Sequence, residues 1–234
     1  MNKISVKNKP NKYRKITSIL LIIAWLVLAG YVGFYFWQKI NHKPGITTIT
    51  HSDGTVTKVD ETPVTEQKKQ EYVVPADQPR YLSVEDLGIS NARITKIGLV
   101  GKTNQLDAPI SIYDAGWYAS SAKPGAGSGA VLVDGHNGGP NYDGIFKRLG
   151  SLRKGAKITI ERGDGNKFTY QVIDNREMLV SEINDPNNKY GMSTMLNSID
   201  PSKEGLNIIT CVGDWLQNSQ TFNKRVMLRA VRIN

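Results

Sequence analysis

The sequence predicts a mainly all-β domain behind a single transmembrane helix, and three observations carry that prediction. The stretch Ile16 to Trp37, "ITSILLIIAWLVLAGYVGFYFW", contains no charge. From about Arg80 onward, short apolar runs with β-type alternation are separated by Gly, Pro, Asn and Asp. Helical signals in the same region are weak and short, one near "YDGIFKRLGSL" and one near "MSTMLNSI". Seven or more short strands with few helices point to a closed barrel or a sandwich.

Residues 1–15 form a basic N-terminus expected in the cytoplasm. Lys3, Lys7, Lys9, Lys12, Arg14, Lys15 and, beyond the span, Lys39 supply most of the formal charge of +9. The remainder of the chain is near neutral and shows no basic stripe, so nucleic acid is not an expected partner. Residues 16–37 are expected to be an uncleaved signal anchor. At about 1.5 Å per residue they match a hydrocarbon core of about 30 Å, whereas a cleaved signal peptide has a shorter apolar core of roughly 7–15 residues. Tyr31, Tyr35 and Trp37 gather near the far end, where an aromatic belt belongs, and the excess of cations before the span directs everything after Trp37 outside the cell.

Residues 38–79 are rich in Thr, Lys and Gln and poor in bulky apolar groups, so they are expected to form a flexible extracytoplasmic linker. A Thr/Val alternation there could form a hairpin, though nothing in the sequence forces one. His42 and His51 fall in this segment and are expected to be inert. Residues 80–234 are the expected folded domain. Within it "AKITIERG" and "KFTYQVID" flank "GDGN" at 163–166, the pattern of a hairpin with one apolar face. "RYLSVEDLG", "ARITKIGLV", "GAVLVDGH", "NIITCV" and "RVMLRAVRI" are further strands.

Cys211 is the single cysteine of the chain. An exported thiol without a partner cannot form an internal disulfide and is exposed to oxidation, which favours a working role, although a small buried hydrophobe would also explain it. Nucleophilic catalysis by a thiol needs a base within reach. His136, where the run "AVLVDG" gives way to "NGGPN", is the one histidine of the folded domain. Arg225 opens the terminal strand, and antiparallel pairing of that strand with "NIITCV" would bring it beside Cys211 as a stabiliser of oxyanion charge. Lys224, Arg229 and Arg232 compete for this role. "GAGSG" at 125–129 lacks the Lys and the spacing of a phosphate loop. Asp134 and His136 could share a metal, but the folded domain holds no second His to complete such a site.

The segments "GSGAVLVDGHNGGPNYDGIFKRLGSLRKGAKITI" and "LNIITCVGDW…KRVMLRAV", with "GWYASSAKPGAG" upstream, resemble the sortases, membrane-anchored cysteine transpeptidases of Gram-positive-type bacteria. The resemblance runs from about Arg80 to the C-terminus. It implies a closed barrel of about eight strands with one or two short helices, His136, Cys211 and Arg225 as catalytic residues, and Thr210, next to the nucleophile in the family signature, as a substrate-binding residue. Some subgroups place the arginine where this chain has Asn223. The implied activity is cleavage of a C-terminal Leu-Pro-x-Thr-Gly-like sorting signal on secreted proteins through a thioester, with transfer to an amine of a lipid-linked peptidoglycan precursor or a pilin. No cofactor is implied, and calcium, bound by some relatives, stays open. The irregular segment 185–205 is implied as a wall of the substrate groove. A hydrolytic cysteine protease and a non-catalytic wall-binding β module are the competing readings.

Overall fold

The computed structural model of the chain describes residues 12–41, 43–50, 54, 56–101 and 105–234. His42, His51 and the basic residues Lys3, Lys7 and Lys9 lie outside the described residues. The chain divides into two units, 1–43 and 44–234. The first is built on helix α1 (Lys12–Asn41), which holds the apolar span Ile16–Trp37, long and apolar enough to cross a membrane and without a buried residue along it. Such a surface all round the helix suits a lipid surround rather than a one-sided core.

The second unit contains a closed eight-stranded barrel, as the family resemblance implies. Its strands are β3 (Pro79–Val84), β4 (Ile89–Ile97), β5 (Ala115–Tyr118), β6 (Ala130–Gly135), β7 (Lys157–Arg162), β8 (Lys167–Leu179), β9 (Gly205–Leu216) and β10 (Thr221–Arg232). They close in the order β10-β8-β7-β3-β4-β5-β6-β9. Neighbours are antiparallel except β4 with β5 and β6 with β9. The β7–β8 hairpin turns at 163–166, where Gly165 takes a φ of +84°, a left-handed conformation that glycine adopts without strain. The short β5, "AGWY", has no alternation long enough to mark it in advance.

Alternation along the strands sorts side chains between two apolar clusters. Val131, Val133, Leu206, Ile208, Val226 and Leu228 point inward, where they meet Trp117, Phe146, Ile158, Ile160 and Tyr170. The intervening Leu132, Ile209 and Met227 point outward and pack against Met178, Ile183 and Met195. The sheet β6-β9-β10 is therefore buried on both faces. Its outer cover is the segment between β8 and β9, which includes the short helix α3 (Val180–Ile183) and a 3-10 turn at Met192–Thr194. Asn207 Nδ2 donates to Met195 O at 2.7 Å and to Asn197 O at 3.0 Å, Arg229 Nη2 donates to Asn197 O at 3.0 Å, and the Arg176 guanidinium lies 3.5 Å from the centre of the Tyr190 ring. These contacts hold the cover to the strands at several points.

The linker expected over 38–79 differs from its expectation. Strands β1 (Ile46–Thr50) and β2 (Val56–Asp60) pair as an antiparallel hairpin, helix α2 (Glu66–Gln70) follows, and residues 44–79 belong to the same unit as the barrel. The physical reason is polar rather than apolar. Asp60 pairs its backbone with the segment before β5, Glu61 is buried, and Tyr72 donates from its hydroxyl to Ile94 O at 2.6 Å. Long-range hydrogen bonds therefore tie down a segment whose composition offers little apolar surface.

Candidate active site

The three residues singled out in the sequence come together at one end of the outer face of β6-β9-β10. Arg225 on β10 stands directly opposite Cys211 on β9, and Met178 on β8 stands opposite Arg225 on its other side. Strands β6 and β9 run parallel in a register that pairs Asp134 with Ile209. Continued by two residues, it sets His136 level with Cys211. The Thr210 hydroxyl confirms the continuation, since it donates to Gly135 O at 2.7 Å. Paired residues on adjacent strands share a face, so His136, Cys211 and Arg225 form a row across three strands. Asp134 lies one step back, on the same face and in the row of Ile209 and Met227.

Each member of the row is held differently. His136 leaves the end of β6, and its Nε2 lies 2.6 Å from Pro109 O. A carbonyl can only accept, so the ring proton sits on Nε2 and the neutral ring keeps its lone pair on Nδ1. Burial lowers the affinity of the imidazole for a second proton, against the opposing pull of the Pro109 hydrogen bond and the Asp107 charge. Gly135 is obligatory beneath it, because a Cβ there would meet the Phe146 ring at 2.5 Å. The carbonyl of His136 accepts from Phe146 N at 3.0 Å, which closes the turn that follows.

The Cys211 thiol is partly exposed. Burial of its surroundings pushes the thiol up to about 11, with Arg225 pulling it down and Asp134 pushing it further up. Arg225 donates from Nη1 to Phe222 O at 2.8 Å and Lys224 O at 2.9 Å, and from Nη2 to Thr221 Oγ1 at 3.0 Å. Three bonds to its own strand fix the guanidinium beside the thiol. Lys224 alternates to the opposite face, while Arg229 is tied to the cover and Arg232 lies 3.5 Å from the buried Glu204. Among the competing cations, pairing with Cys211 singles out Arg225.

Thr210 requires a correction. Its side chain is buried on the inner face, opposite to that of Cys211, and its hydroxyl is spent on Gly135 O. It cannot meet a substrate lying on the outer face; it fixes the register between the strands that present histidine and cysteine. Asp134 is the residue that sequence reasoning passed over, treating it only as a metal partner. Burial raises its carboxyl to about 7, against the lowering effects of a Gly135 backbone hydrogen bond and of Arg225. The signal was present, since residues 134 and 136 on one strand share a face. Among the described residues, no group of three His, Cys, Asp or Glu side chains could hold a metal ion.

The family profile described as the sortase domain matches residues 82–233, well over half of the chain. The chain belongs to the sortase family. Solved structures of sortases are among the matches to this sortase. They include a lid mutant of sortase A from Corynebacterium diphtheriae, 22% identical over 70% of this chain and 74% of that one with a TM-score of 0.47. The pilus-related sortase C of Group B Streptococcus is 20% identical over 74% of this chain and 75% of that one, TM-score 0.46. A Clostridium perfringens sortase D5 transpeptidase is 18% identical over 73% of this chain and 90% of that one, TM-score 0.46. No curated protein sequence matches the chain. Family membership assigns this sortase a general chemistry of sortase type.

Proposed function

We propose that this sortase is a single-pass membrane cysteine transpeptidase whose Cys211, His136 and Arg225 cleave a Leu-Pro-x-Thr-Gly-like sorting signal and transfer its acyl part to an amine. The observation that carries the reading is the register that pairs Arg225 with Cys211 and that, extended past the end of β6, sets His136 level with Cys211. Burial favours a neutral thiol and a neutral imidazole in the resting site. Cys211 Sγ attacks the carbonyl carbon on the amino side of the scissile bond, and its proton passes to His136 Nδ1. As the C–N bond breaks, His136 gives that proton to the leaving amine and a thioester remains. An incoming amine then attacks the thioester carbon, loses a proton to His136, and the thiol is restored when the C–S bond breaks. Arg225 stabilises the oxyanion of both tetrahedral intermediates.

In this reading residues 1–15 lie in the cytoplasm, 16–37 cross the membrane and 80–234 act outside the cell. The substrates are secreted proteins, and the acceptor is the amine of a lipid-linked peptidoglycan precursor or a pilin. A tether at the outer leaflet confines enzyme and precursor to one surface and raises their encounter rate. Intact-mass measurement of the membrane-reconstituted chain with a sorting peptide tests the scheme. An acyl adduct on Cys211 and, with added amine, a ligated product are expected. Turnover undiminished in Cys211→Ala would refute the scheme, and cleavage with no ligated product under saturating amine would identify a hydrolase instead. A wall-binding module would bind wall fragments unchanged after Cys211→Ala and form no adduct.

A further inference from the structure

The two loops that flank His136 are joined by two consecutive residues, Asp60 and Glu61, of the segment that precedes the barrel in sequence. Before β5, Pro109 O accepts from the His136 ring, and the next residue, Ile110, is tied to β2: Asp60 N donates to Ile110 O at 2.7 Å and Ile112 N donates to Asp60 O at 3.0 Å. After His136, the loop 137–144 wraps a carboxylate. Glu61 Oε1 accepts from Asn141 N at 2.7 Å and Tyr142 N at 2.9 Å, and Oε2 accepts from Asn141 Nδ2 at 3.1 Å. The Glu61 side chain is 1% exposed. Gly139 closes over it so tightly that a Cβ would lie 2.5 Å from Oε1. The loops also bond to each other, Ile145 N to Ile112 O at 2.8 Å.

A fully buried carboxylate is costly to desolvate unless its lone pairs are satisfied, and here they are satisfied by the loop that begins next to His136. Asp60 grips the carbonyl side of the imidazole and Glu61 grips the backbone side, so the ring is held between two segments that share one support. That support is the end of a hairpin starting soon after the anchor helix in sequence, at Ile46. We infer that Glu61 is a positioning residue for His136, and that Asp60 and Glu61, at the end of the hairpin, are a working part of the active site rather than of a passive spacer. The inference rests on the reading of His136 as the proton carrier.

The effect is one of geometry, since a displacement of about 1 Å in a reacting group can cost about a hundredfold in rate. Three variants of the full membrane-reconstituted chain test it, assayed with a sorting peptide and a saturating amine. Glu61→Ala should lower kcat by about tenfold to a hundredfold while KM stays within about twofold. Glu61→Gln, which keeps an accepting oxygen for Asn141 N and Tyr142 N, should recover most of that loss. Gly139→Ala, which displaces the carboxylate without removing any polar group, should reproduce the Glu61→Ala pattern. Proton NMR titration of His136 supplies a readout that a merely structural role would not move, and its midpoint should shift in Glu61→Ala and Gly139→Ala.

Circular dichroism checks folding, and if Glu61→Ala does not fold, the other two variants decide. Unchanged kcat and an unmoved His136 titration in folded Glu61→Ala or Gly139→Ala would overturn the inference even with the active-site reading intact. Full turnover by His136→Ala would instead remove the reading on which it rests.

Discussion

The Cys211 thiol offers the sharpest test of the site, because it is the single cysteine of the chain and every alkylation event reports on it. An ordinary thiol titrates near 9.0, and burial pushes this one up to about 11. Near neutral pH the thiolate fraction is then about a hundredfold smaller than that of an unburied thiol. The more basic thiolate is intrinsically more nucleophilic, and a Brønsted slope of about 0.4–0.5 returns roughly tenfold of that deficit. The resting enzyme should therefore react with iodoacetamide about tenfold more slowly than a small-molecule thiol of ordinary acidity. Rates of labelling followed by intact mass as pH rises should show no midpoint below about 10. Arg225→Ala should move the profile to higher pH, since the cation beside the thiol favours the thiolate. Asp134→Asn should move it lower, since the carboxylate on the same face opposes it. A midpoint at or below 9.0, the value of an ordinary thiol, or shifts of the opposite sign in the two variants would refute the reasoning.

Other expectations follow from the same geometry. Thr210→Val keeps the shape of a buried side chain and removes the hydroxyl donated to Gly135 O. The loss of one such bond costs about 1–2 kcal/mol, seen as a fall of roughly 3–6 °C in Tm by calorimetry, with kcat falling because the histidine and cysteine strands lose register. Asp134 has a raised folded-state affinity for its proton, so the folded state retains the proton that the unfolded chain releases, and stability falls as pH rises from about 4 to about 7. Asp134→Asn should flatten this part of the denaturant-midpoint profile and stabilise the protein above about pH 7. Gly135→Ala would drive a methyl group into the Phe146 ring and should destabilise by about 1–3 kcal/mol in urea titration while lowering activity.

The barrel was legible because most of its strands, though not the short β5, repeat their own rule: the hairpin over "AKITIERG" and "KFTYQVID" is written in local alternation and in the glycines between them. Cys211 and Arg225 were legible together because antiparallel neighbours joined by one loop have a register that a reader can estimate. His136 was legible as a residue type at a strand end, but its place beside Cys211 depends on a parallel pairing between positions 75 residues apart, and no local pattern encodes that. Thr210 misled because adjacency in sequence is the opposite of adjacency in a strand, where successive side chains face apart. Glu61 was illegible for a related reason. It is one acid in a polar, Thr-rich stretch, and its partners are the backbone amides of residues 141 and 142, which carry no side-chain signature. Composition alone assigned that stretch to a tether, since composition counts apolar surface and does not count distant hydrogen bonds.

The parallel ladder between β6 and β9 has a consequence for how the molecule comes to life. Such a ladder cannot form by zipping outward from a tight turn; it must wait until most of the chain is present and the intervening loop has been closed, which makes it a slow, late event in folding. Until then Cys211 and His136 belong to separate stretches of unstructured polymer, and in the proposed scheme the nascent protein carries a sulfur atom no more dangerous than any other. On the proposed scheme, catalytic competence is withheld by topology until maturation is nearly complete.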